Sequence, residues 1–421
     1  MLEAPTRIEP CLFESDVPAA LTDLAVEIQA ESVSISPNLS EDSLAELADL
    51  VRIMNSYYSN LIEGHNTRPR DIERALAGHE VEQDKRPLAL EAKAHIDVQR
   101  AIDIAHRSGK LPVPVSAKFI SWVHKCFYDE MPEGFQFAER KDGTKIPIVP
   151  GKFRSELGDD VEVGWQQPPS SVVVASFMDY FEKRFSPAET RAGSRILAIP
   201  AAHHRFNYIH PFIDGNGRVS RLMSHAMVLR AGIGGGGLWS ISRGLARGLA
   251  GRHEYKMAMN AADSPRRGDL DGRGNLSQAA LIEFSEWFMK VMLDQIRFSR
   301  AVFRLDRIEE RYKDLLVHLN LEPRAVDLVA AVFRMGQLER GDAALALRVP
   351  ERTARNSVSK LTQMGFLKSE TPKGALRIAF PIDYREKLFP NLFADAPIEA
   401  PAPPAHKFGP RQRRGYSRKP A

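Results

Sequence analysis

Residues 210–221 read HPFIDGNGRVSR, a stretch that is typical of a tight loop running into a helix. Pro211 restrains the backbone at the start of the loop, and the two glycines of Gly215–Gly217 permit positive φ and close approach of other groups. The amides in the first turn of a helix have no intrahelical acceptor and therefore attract anions. The pattern predicts a phosphate-binding loop followed by a helix.

Four polar side chains around this loop indicate phosphoryl chemistry. Arg218 and Arg221 are three residues apart, hence neighbours on one helix face, and arginine suits forked contacts with phosphate oxygens. Asp214 offers a hard oxygen ligand for a magnesium ion that bridges phosphates. His210 is the side chain here whose ordinary pKa lies near neutrality, so it is the candidate general base.

These residues resemble, at every specified position, the motif HPFx(D/E)GNGRxxR that defines the Fic family. The similarity extends over roughly residues 40–298 and includes the approach AAHHRFNYIHPF and the later segments WSISRGLAR and DLDGRGNLS. The resemblance implies a mainly α fold, in which a Fic helical core carries a short β-hairpin flap.

The resemblance also implies an activity, which is the transfer of AMP from ATP to a Ser, Thr or Tyr hydroxyl of a target protein. His210 would be the general base, and Asp214 would hold Mg²⁺ or Mn²⁺. Nucleotide contacts are implied for Gly215, Asn216, Gly217, Arg218 and Arg221, and more weakly for Tyr255, which suits a packed position equally well. The kinase-like Doc branch has Lys in place of Gly217, so this chain favours nucleotidyl transfer.

A second motif lies upstream. Residues 59–64 read SNLIEG, similar to the (S/T)xxxE(G/N) inhibitory motif of Fic proteins, at the end of a helix predicted over Glu41–Glu63. The resemblance implies that Glu63 pairs with Arg221 where the γ-phosphate should bind, and that Ser59 helps to hold the helix. In some relatives this glutamate also positions a water that removes AMP, so a dual-activity or de-AMPylating enzyme stays open.

The stretch from 134 to 163 combines turn residues with short β-branched pieces, which predicts a hairpin or flap. The resemblance places the flap of the family within Lys145–Val163. There it would hold the target segment by strand addition.

Helical periodicity dominates elsewhere and predicts this organisation: an N-terminal helical region at 1–112 with the inhibitory helix at about 41–63, the Fic catalytic core with trailing helices at 113–315, a winged helix-turn-helix at 323–393, and a disordered basic tail at 394–421. Within the core, one long helix is predicted over 278–312.

The C-terminal region has three short predicted helices followed by two strand-like pieces, which is the order of a winged helix-turn-helix. On the third helix, Arg352, Arg355 and Lys360 lie largely off the apolar stripe, an arrangement that suits a DNA-binding face. Dimer contacts or target docking are the alternatives for this module, and a homodimer is left open. A nucleotide-sensing DNA-binding regulator is therefore the competing function from a different class.

Composition limits the partners and the compartment that fit this chain. The chain has 421 residues and a net charge of +4, too small by itself to argue for nucleic acid. Its two cysteines, Cys11 and Cys126, are far apart and form no disulfide framework, which suits a reducing cytoplasm. No apolar run approaches membrane-spanning length. We therefore expect a cytoplasmic protein without a membrane partner.

Overall fold

The computed structural model describes residues 3–11, 17–35, 40–65, 67–79, 81–83, 85–129, 131, 135–140, 143–163, 167–190 and 192–393. The tail predicted at 394–421 lies outside the described residues. Helices dominate the part that is described, and its strands form one two-stranded and one three-stranded sheet.

The first part of the chain contains the loop 210–221 and is almost entirely helical. Its elements are α1 Ala19–Ser32, α2 Glu41–Ile62, α3 Pro69–Leu76, α4 Arg86–Arg107, α5 Ala117–Asp129, β1 Phe137–Glu139, β2 Lys145–Pro147, α6 Val174–Phe185, α7 Ala192–Ile209, α8 Asn216–Arg230, α9 Ile241–Arg247, α10 Glu254–Ala262 and α11 Gln278–Val302.

The C-terminal unit, residues 305–393, combines short helices with a small antiparallel sheet in the order β3-β5-β4. Its elements are α12 Leu305–His318, α13 Pro323–Met335, β3 Gln337–Leu338, α14 Ala343–Leu347, α15 Glu351–Gln363, β4 Leu367–Lys368, β5 Leu376–Ile378 and α16 Arg385–Leu388. The predicted order of helices and strands is confirmed here, with β3 as an additional short strand.

The centre of the molecule is the pair α7 and α8, which pack side by side on either side of the loop 210–215. Along α8, every residue except Gly217 and Arg230 is buried. A helix that is covered on all sides forms the core of a large domain, so the loop at its start is held by the most constrained part of the fold.

The helix predicted over Glu41–Glu63 is confirmed as α2. Ser40 caps its start by accepting a hydrogen bond from the Ser43 amide at 3.3 Å, and two acidic residues in the first turn suit the helix dipole. Glu63 stands at its C-terminal cap, and Gly64 follows with φ of +90°. A left-handed glycine is the common way to end a helix, so Glu63 has a fixed place.

α2 packs against α4 through buried polar contacts, which we call the polar seam (residues 52–59 of α2 against residues 91–103 of α4). The Arg52 guanidinium lies 2.8 Å from the Asp103 carboxylate, and the Asn55 side-chain amide donates to Gln99 Oε1 at 2.7 Å. The polar residues of α4 that face inward recur at every fourth position: Glu91, His95, Gln99 and Asp103. Such a seam fixes the register of two helices because each buried polar group needs its own partner.

The C-terminal unit packs directly on α2. Ser43 Oγ donates to the backbone carbonyl of Phe333 at 2.8 Å, and the Lys368 ammonium lies 2.5 Å from the Glu46 carboxylate. Further along the helix, the Tyr57 ring meets the Phe393 ring edge-on at 5.7 Å. The unit thus touches the same helix that ends in Glu63.

One predicted element is wrong: the single helix expected over 278–312 is two helices, α11 and α12, separated at Phe303 and Arg304. Both helices are amphipathic, so the apolar spacing continues across the break. α12 packs on α13 and α16 of the C-terminal unit, and its Tyr312 hydroxyl donates to the Ala379 carbonyl at 2.8 Å. The predicted domain boundaries stay predictions. In the described part of the chain, no helix is long and apolar enough to cross a membrane.

Candidate active site

The loop before α8 depends on unusual backbone conformations at both ends. His210 has φ of +51°, in the left-handed region, and Gly215 has φ of +81° at the start of α8. A Cβ at Gly215 would come within 2.9 Å of the Tyr128 ring, so only glycine fits there without a shift. The geometry explains this glycine, and a positive φ at a non-glycine residue such as His210 is typical of functional sites.

Asn216 staples the loop together. Its side-chain amide donates to the Phe212 carbonyl at 2.8 Å, and its Oδ1 accepts from the Phe212 amide at 2.9 Å. The side chain is buried and both of its ends are used in this pair. The predicted nucleotide contact of Asn216 would therefore involve its backbone.

Arg154 binds the other end of the loop. No motif in the sequence pointed to this residue. It is buried, and its guanidinium donates to the carbonyls of His210 at 2.7 Å and Ile209 at 3.0 Å. Its own amide donates to the Pro211 carbonyl at 3.0 Å. Three bonds to consecutive residues fix the backbone that carries the His210 ring. Burial lowers the pKa of Arg154 to about 10, which leaves it charged at neutral pH.

The electrostatics around His210 keep its ring neutral. Burial is the main cause, and the charge of Arg154 adds to it, so that the pKa of His210 is lowered to about 4. The Asn207 backbone and the Asp214 carboxylate oppose this shift only in part. An uncharged imidazole at neutral pH can accept a proton, as a general base must.

His124 of α5 also contacts the loop. Its ring stacks on Phe212 at 3.8 Å between centroids, its Nδ1 accepts from the Gly151 amide at 2.8 Å, and its Nε2 lies 3.3 Å from the Asp214 carbonyl. Because Nδ1 accepts from an amide, we assign the ring proton to Nε2. Burial lowers the pKa of His124 to about 4, so the ring is a neutral spacer.

Asp214 is an ionised carboxylate with one oxygen engaged. Its Oδ2 accepts from the Tyr128 hydroxyl at 2.7 Å and from Arg218 at 2.9 Å, and its side chain is half exposed. Burial alone would raise the pKa of Asp214, but Arg218 and Tyr128 hold it at about 2. A single exposed carboxylate fits Mg²⁺, which usually takes one or two protein carboxylates together with phosphate oxygens and waters. In the described residues, no group of three or more His, Cys, Asp or Glu could hold a metal ion alone.

Arg218 lies between two carboxylates. One guanidinium nitrogen contacts Asp214, and the other contacts Glu91 of α4, which the sequence also did not single out. Glu91 is buried, and its second contact is the His65 ring at 3.0 Å. The guanidinium also lies over the Phe127 ring at 5.0 Å. Tyr128, Asp214 and Glu91 raise the pKa of Arg218 well above its ordinary value in spite of burial.

Arg221 is bound by the end of α2. Its Nη2 donates to Glu63 Oε1 at 2.6 Å and to the Ser59 carbonyl at 3.2 Å, while its Nε donates to Ser59 Oγ at 2.9 Å. Arg221 is buried, whereas the Glu63 side chain is 32% exposed. Burial would raise the pKa of Glu63, but Arg221 and then Arg218 hold it below its usual range, so the carboxylate is ionised. The structure thus places Ser59 and Glu63 on Arg221, the arrangement that the resemblance implies.

The Glu63 carboxylate lies directly against the first turn of α8. A Cβ built on Gly217 would be only 2.3 Å from Glu63 Oε1. A carboxylate at a helix N-terminus takes the position that favours any anion, phosphate included. The segment predicted to bind phosphate therefore already has an anion of the protein beside it.

Tyr255 is packed within the protein. Its hydroxyl lies 2.8 Å from His203 Nε2, and its ring is nearly parallel to Trp287 with centroids 6.3 Å apart. His203 in turn contacts Ser224 of α8 at 2.9 Å. The tyrosine is 7% exposed, and its contact with His203 links it to α8. Its predicted contact with nucleotide stays a prediction.

The hairpin and α15 are the two remaining predicted features. β2 lies at the start of the predicted flap range 145–163 and pairs antiparallel with β1, which precedes that range. Phe137 and Val149 at this hairpin are about half exposed.

On α15, Arg352 and Lys360 are exposed, while Arg355 lies 2.8 Å from Glu351 in an ion pair.

Residues 114–228 match the Fic/DOC family, so the chain carries a Fic/DOC domain that includes the whole loop 210–221. It is distantly related to proteins named protein adenylyltransferase Fic. The relative from Drosophila mojavensis is 29% identical over 147 residues, which are 34% of this chain and 28% of the relative. The one from Drosophila ananassae is 37% identical over 90 residues, which are 21% of this chain and 18% of the relative. The chain thus matches less than a third of the length of either relative.

Solved structures resemble the chain more broadly at lower identity. A Fic domain containing signaling protein from Bacteroides thetaiotaomicron is 17% identical with a TM-score of 0.49, and the alignment covers 66% of this chain and 96% of that one. A Fic family protein from Desulfovibrio desulfuricans is 16% identical with a TM-score of 0.46, covering 87% and 98%.

Proposed function

We propose that this protein is an autoinhibited adenylyltransferase that transfers AMP from ATP to a hydroxyl side chain of a target protein. The observation that carries the proposal is the position of the Glu63 carboxylate, which lies on Arg221 and against Gly217 in a Fic/DOC loop that also holds the neutral His210. Each part of this arrangement has a role in the transfer or in its suppression.

Transfer needs a base and a fixed phosphate chain. The His210 ring would take the proton of the target hydroxyl, whose oxygen bonds to the α-phosphorus while the bond to the β-phosphate oxygen breaks and pyrophosphate leaves. Amides at the start of α8, together with Arg218 and Arg221, would bind and orient the phosphates. A magnesium ion held by Asp214 would supply further positive charge for them.

Autoinhibition follows from competition for one site. The γ-phosphate of ATP needs the guanidinium of Arg221, and Glu63 occupies it through a short, charge-assisted hydrogen bond. ATP that binds beside Glu63 would lack this contact and would not be aligned for attack. The polar seam holds α2 in place, and with it the position from which the Glu63 carboxylate reaches Arg221.

The β1–β2 hairpin is the proposed place for the target segment. The chain that leaves it, through Gly151 and Arg154, contacts both His124 and the His210 backbone, so the hairpin is tied to the active-site loop. Its exposed Phe137 and Val149 offer apolar contacts, and a strand edge offers backbone hydrogen bonds. A target bound there would present its hydroxyl near His210.

The test is incorporation of label from α-labelled ATP into the protein itself and into a cell lysate. We expect Glu63→Gly to raise transfer by up to about a hundredfold, the gain available when a bias of about 99 to 1 is removed. Glu63→Asp should be intermediate, because its shorter arm reaches Arg221 poorly. Adding Arg221→Ala to Glu63→Gly should remove much of the gain, and adding His210→Ala should slow transfer by about two to four powers of ten.

Two outcomes would contradict the proposal in different ways. Equal rates for wild type and Glu63→Gly, both clearly active, would show that α2 does not inhibit. A folded Glu63→Gly protein without any transfer would refute the adenylyltransferase. Removal of AMP from a labelled target is the alternative activity, and it would appear as loss of label with wild type but not with Glu63→Gly.

A further inference from the structure

A basic cleft lies away from the loop 210–221, where α9 and α11 meet the C-terminal unit. Its volume is about 610 Å³, within the range of small-molecule sites. In the described part of the chain, one acidic side chain, Asp294, lines it. The cationic side chains that line it are Arg243, Arg247, Arg252, Lys290, Arg297 and Arg311.

Arg243 forms the floor of this basic cleft without a carboxylate partner among the described residues. It is 1% exposed, and its guanidinium donates to Gln295 Oε1 and to the Asn391 carbonyl, each at 3.0 Å. Its Nε has no hydrogen-bond partner in the described part of the protein. Burial, reinforced by Arg247 and opposed only in part by Tyr58 and Asp294, lowers the pKa of Arg243 to about 10. A buried cation with only neutral acceptors is costly, and an anion in the cleft would offset that cost.

Arg311 repeats this arrangement on the side of the C-terminal unit. It donates to the backbone carbonyls of Val302 at 3.0 Å and Leu388 at 2.6 Å, again with no carboxylate partner among the described residues. Two of the other cations are paired outside the cleft, Arg297 with Glu27 and Lys290 with Glu286. The excess positive charge of the basic cleft thus comes mainly from Arg243 at its floor and from Arg311 on the side of the C-terminal unit.

The walls of the basic cleft combine charge with apolar surface. The Phe298 ring lies 3.5 Å from the Arg243 guanidinium, and Leu293 and Val302 extend the same wall. Arginines in a concave apolar setting suit forked contacts with several phosphate oxygens. A concave cleft bounded by the loop 248–252 and residues 390–391 suits a small ligand better than a nucleic-acid duplex.

We propose that this basic cleft binds a small polyphosphate-bearing ligand at a site separate from the active-site loop. The shared chemistry is a chain of phosphates, and its source is either a nucleoside triphosphate or an inorganic polyphosphate. Arg243 and Arg311 would contact the phosphates, and the wall with Phe298 would pack against any base.

The experiment is isothermal titration of the full chain with inorganic tripolyphosphate and, separately, with GTP at low ionic strength. The test variant is Arg247→Glu with Arg252→Glu at the mouth of the cleft, and the matched control is Arg107→Glu at the exposed end of α4. We expect the double variant to bind tripolyphosphate at least about tenfold more weakly, whereas the control stays within about twofold of wild type. All three proteins keep the active-site loop, so its contribution cancels.

Either order of affinity for the two probes supports the proposal and identifies the source: tighter GTP indicates a nucleotide, tighter tripolyphosphate an inorganic chain. Unchanged tripolyphosphate affinity in the folded double variant would overturn it. If the double variant does not fold, Arg252→Glu alone, at an exposed position of the mouth, is compared with Arg107→Glu. Binding is measured without transfer, so failure here would leave the proposed function untouched.

Discussion

His210 owes its state to neighbours that are distant in sequence. Its backbone takes a left-handed conformation that Arg154 holds through the His210 carbonyl, and the same arginine adds positive charge near the ring. Geometry and protonation therefore depend on one buried side chain. Replacing Arg154 would disturb both, which makes it a positioning residue for the proposed base.

The pH dependence of transfer should report this environment. A histidine of ordinary pKa, near 6.5, would lose its base function as pH falls through that value, but the lowered pKa of about 4 keeps His210 unprotonated well below it. We expect kcat/KM of the Glu63→Gly protein to stay level from about pH 8 to about pH 5 and to fall only near pH 4. A half-maximal rate near pH 6.5 would contradict this environment for His210.

Glu91 is the second residue whose role the structure adds. It contacts Arg218 with one oxygen and the His65 ring with the other, so it joins the active-site loop to the chain just after α2. A buried carboxylate in this position should fix the Arg218 head group for the phosphate chain. It would act through Arg218 and not on the reacting atoms.

We expect Glu91→Gln, in the Glu63→Gly protein, to raise KM for ATP by about five- to twentyfold with a smaller change in kcat, because a loosened Arg218 weakens phosphate binding. Glu91→Asp should be intermediate. Asp97→Asn is the control, since Asp97 lies on the same helix in a more exposed ion pair with Lys93. An unchanged KM in a folded protein would leave Glu91 with a structural role only. Breaking a buried pair costs about 3 kcal/mol of stability, so Tm is measured in parallel.

At the level of elements, spacing rules predicted most local features, and the distant pairing of Glu63 with Arg221 came from the family resemblance alone. The loop 210–221 was readable because its turn, its helix start and its arginines are consecutive. Arg154 and Glu91 act across 56 and 127 residues, and no spacing rule connects them to the loop. One signal was present: Glu91, His95, Gln99 and Asp103 recur every fourth residue among apolar ones, which indicates a buried polar stripe on α4.

The contact between α2 and the C-terminal unit leads to a prediction about regulation. Lys368 lies 2.5 Å from Glu46, which is mostly buried, so Lys368→Glu places like charges together at the interface. We expect this change to loosen α2 and raise wild-type transfer by about two- to fivefold, the effect of roughly 1 kcal/mol. Arg355→Glu, which reverses a charge opposite Glu351 on exposed α15, should have no effect on transfer. Equal rates for both variants would show that the interface does not affect inhibition by Glu63.

Over the whole molecule, the loop 210–221 is built into a core that contains several neutral histidines. Burial lowers the pKa of His95 and of His203 to about 3, with the charge of Arg221 adding to the effect for both. In the described part of the protein, neither ring nitrogen of His95 has a hydrogen-bond partner. The His95 imidazole is thus buried without a hydrogen bond from the described residues, near Arg221.

These histidines should make the protein sensitive to acid before its carboxylates titrate. Below about pH 6.5 the unfolded chain binds protons that the folded protein excludes, so stability falls with pH by roughly 1.4 kcal/mol per unit for each such group until the folded pKa is reached. His95→Leu removes one group and its unsatisfied nitrogens at similar volume. We expect it to raise Tm at about pH 5 more than at about pH 8, whereas His253→Leu, at an exposed position, should follow wild type. Parallel declines of Tm for both variants would mean that His95 titrates normally in the folded protein.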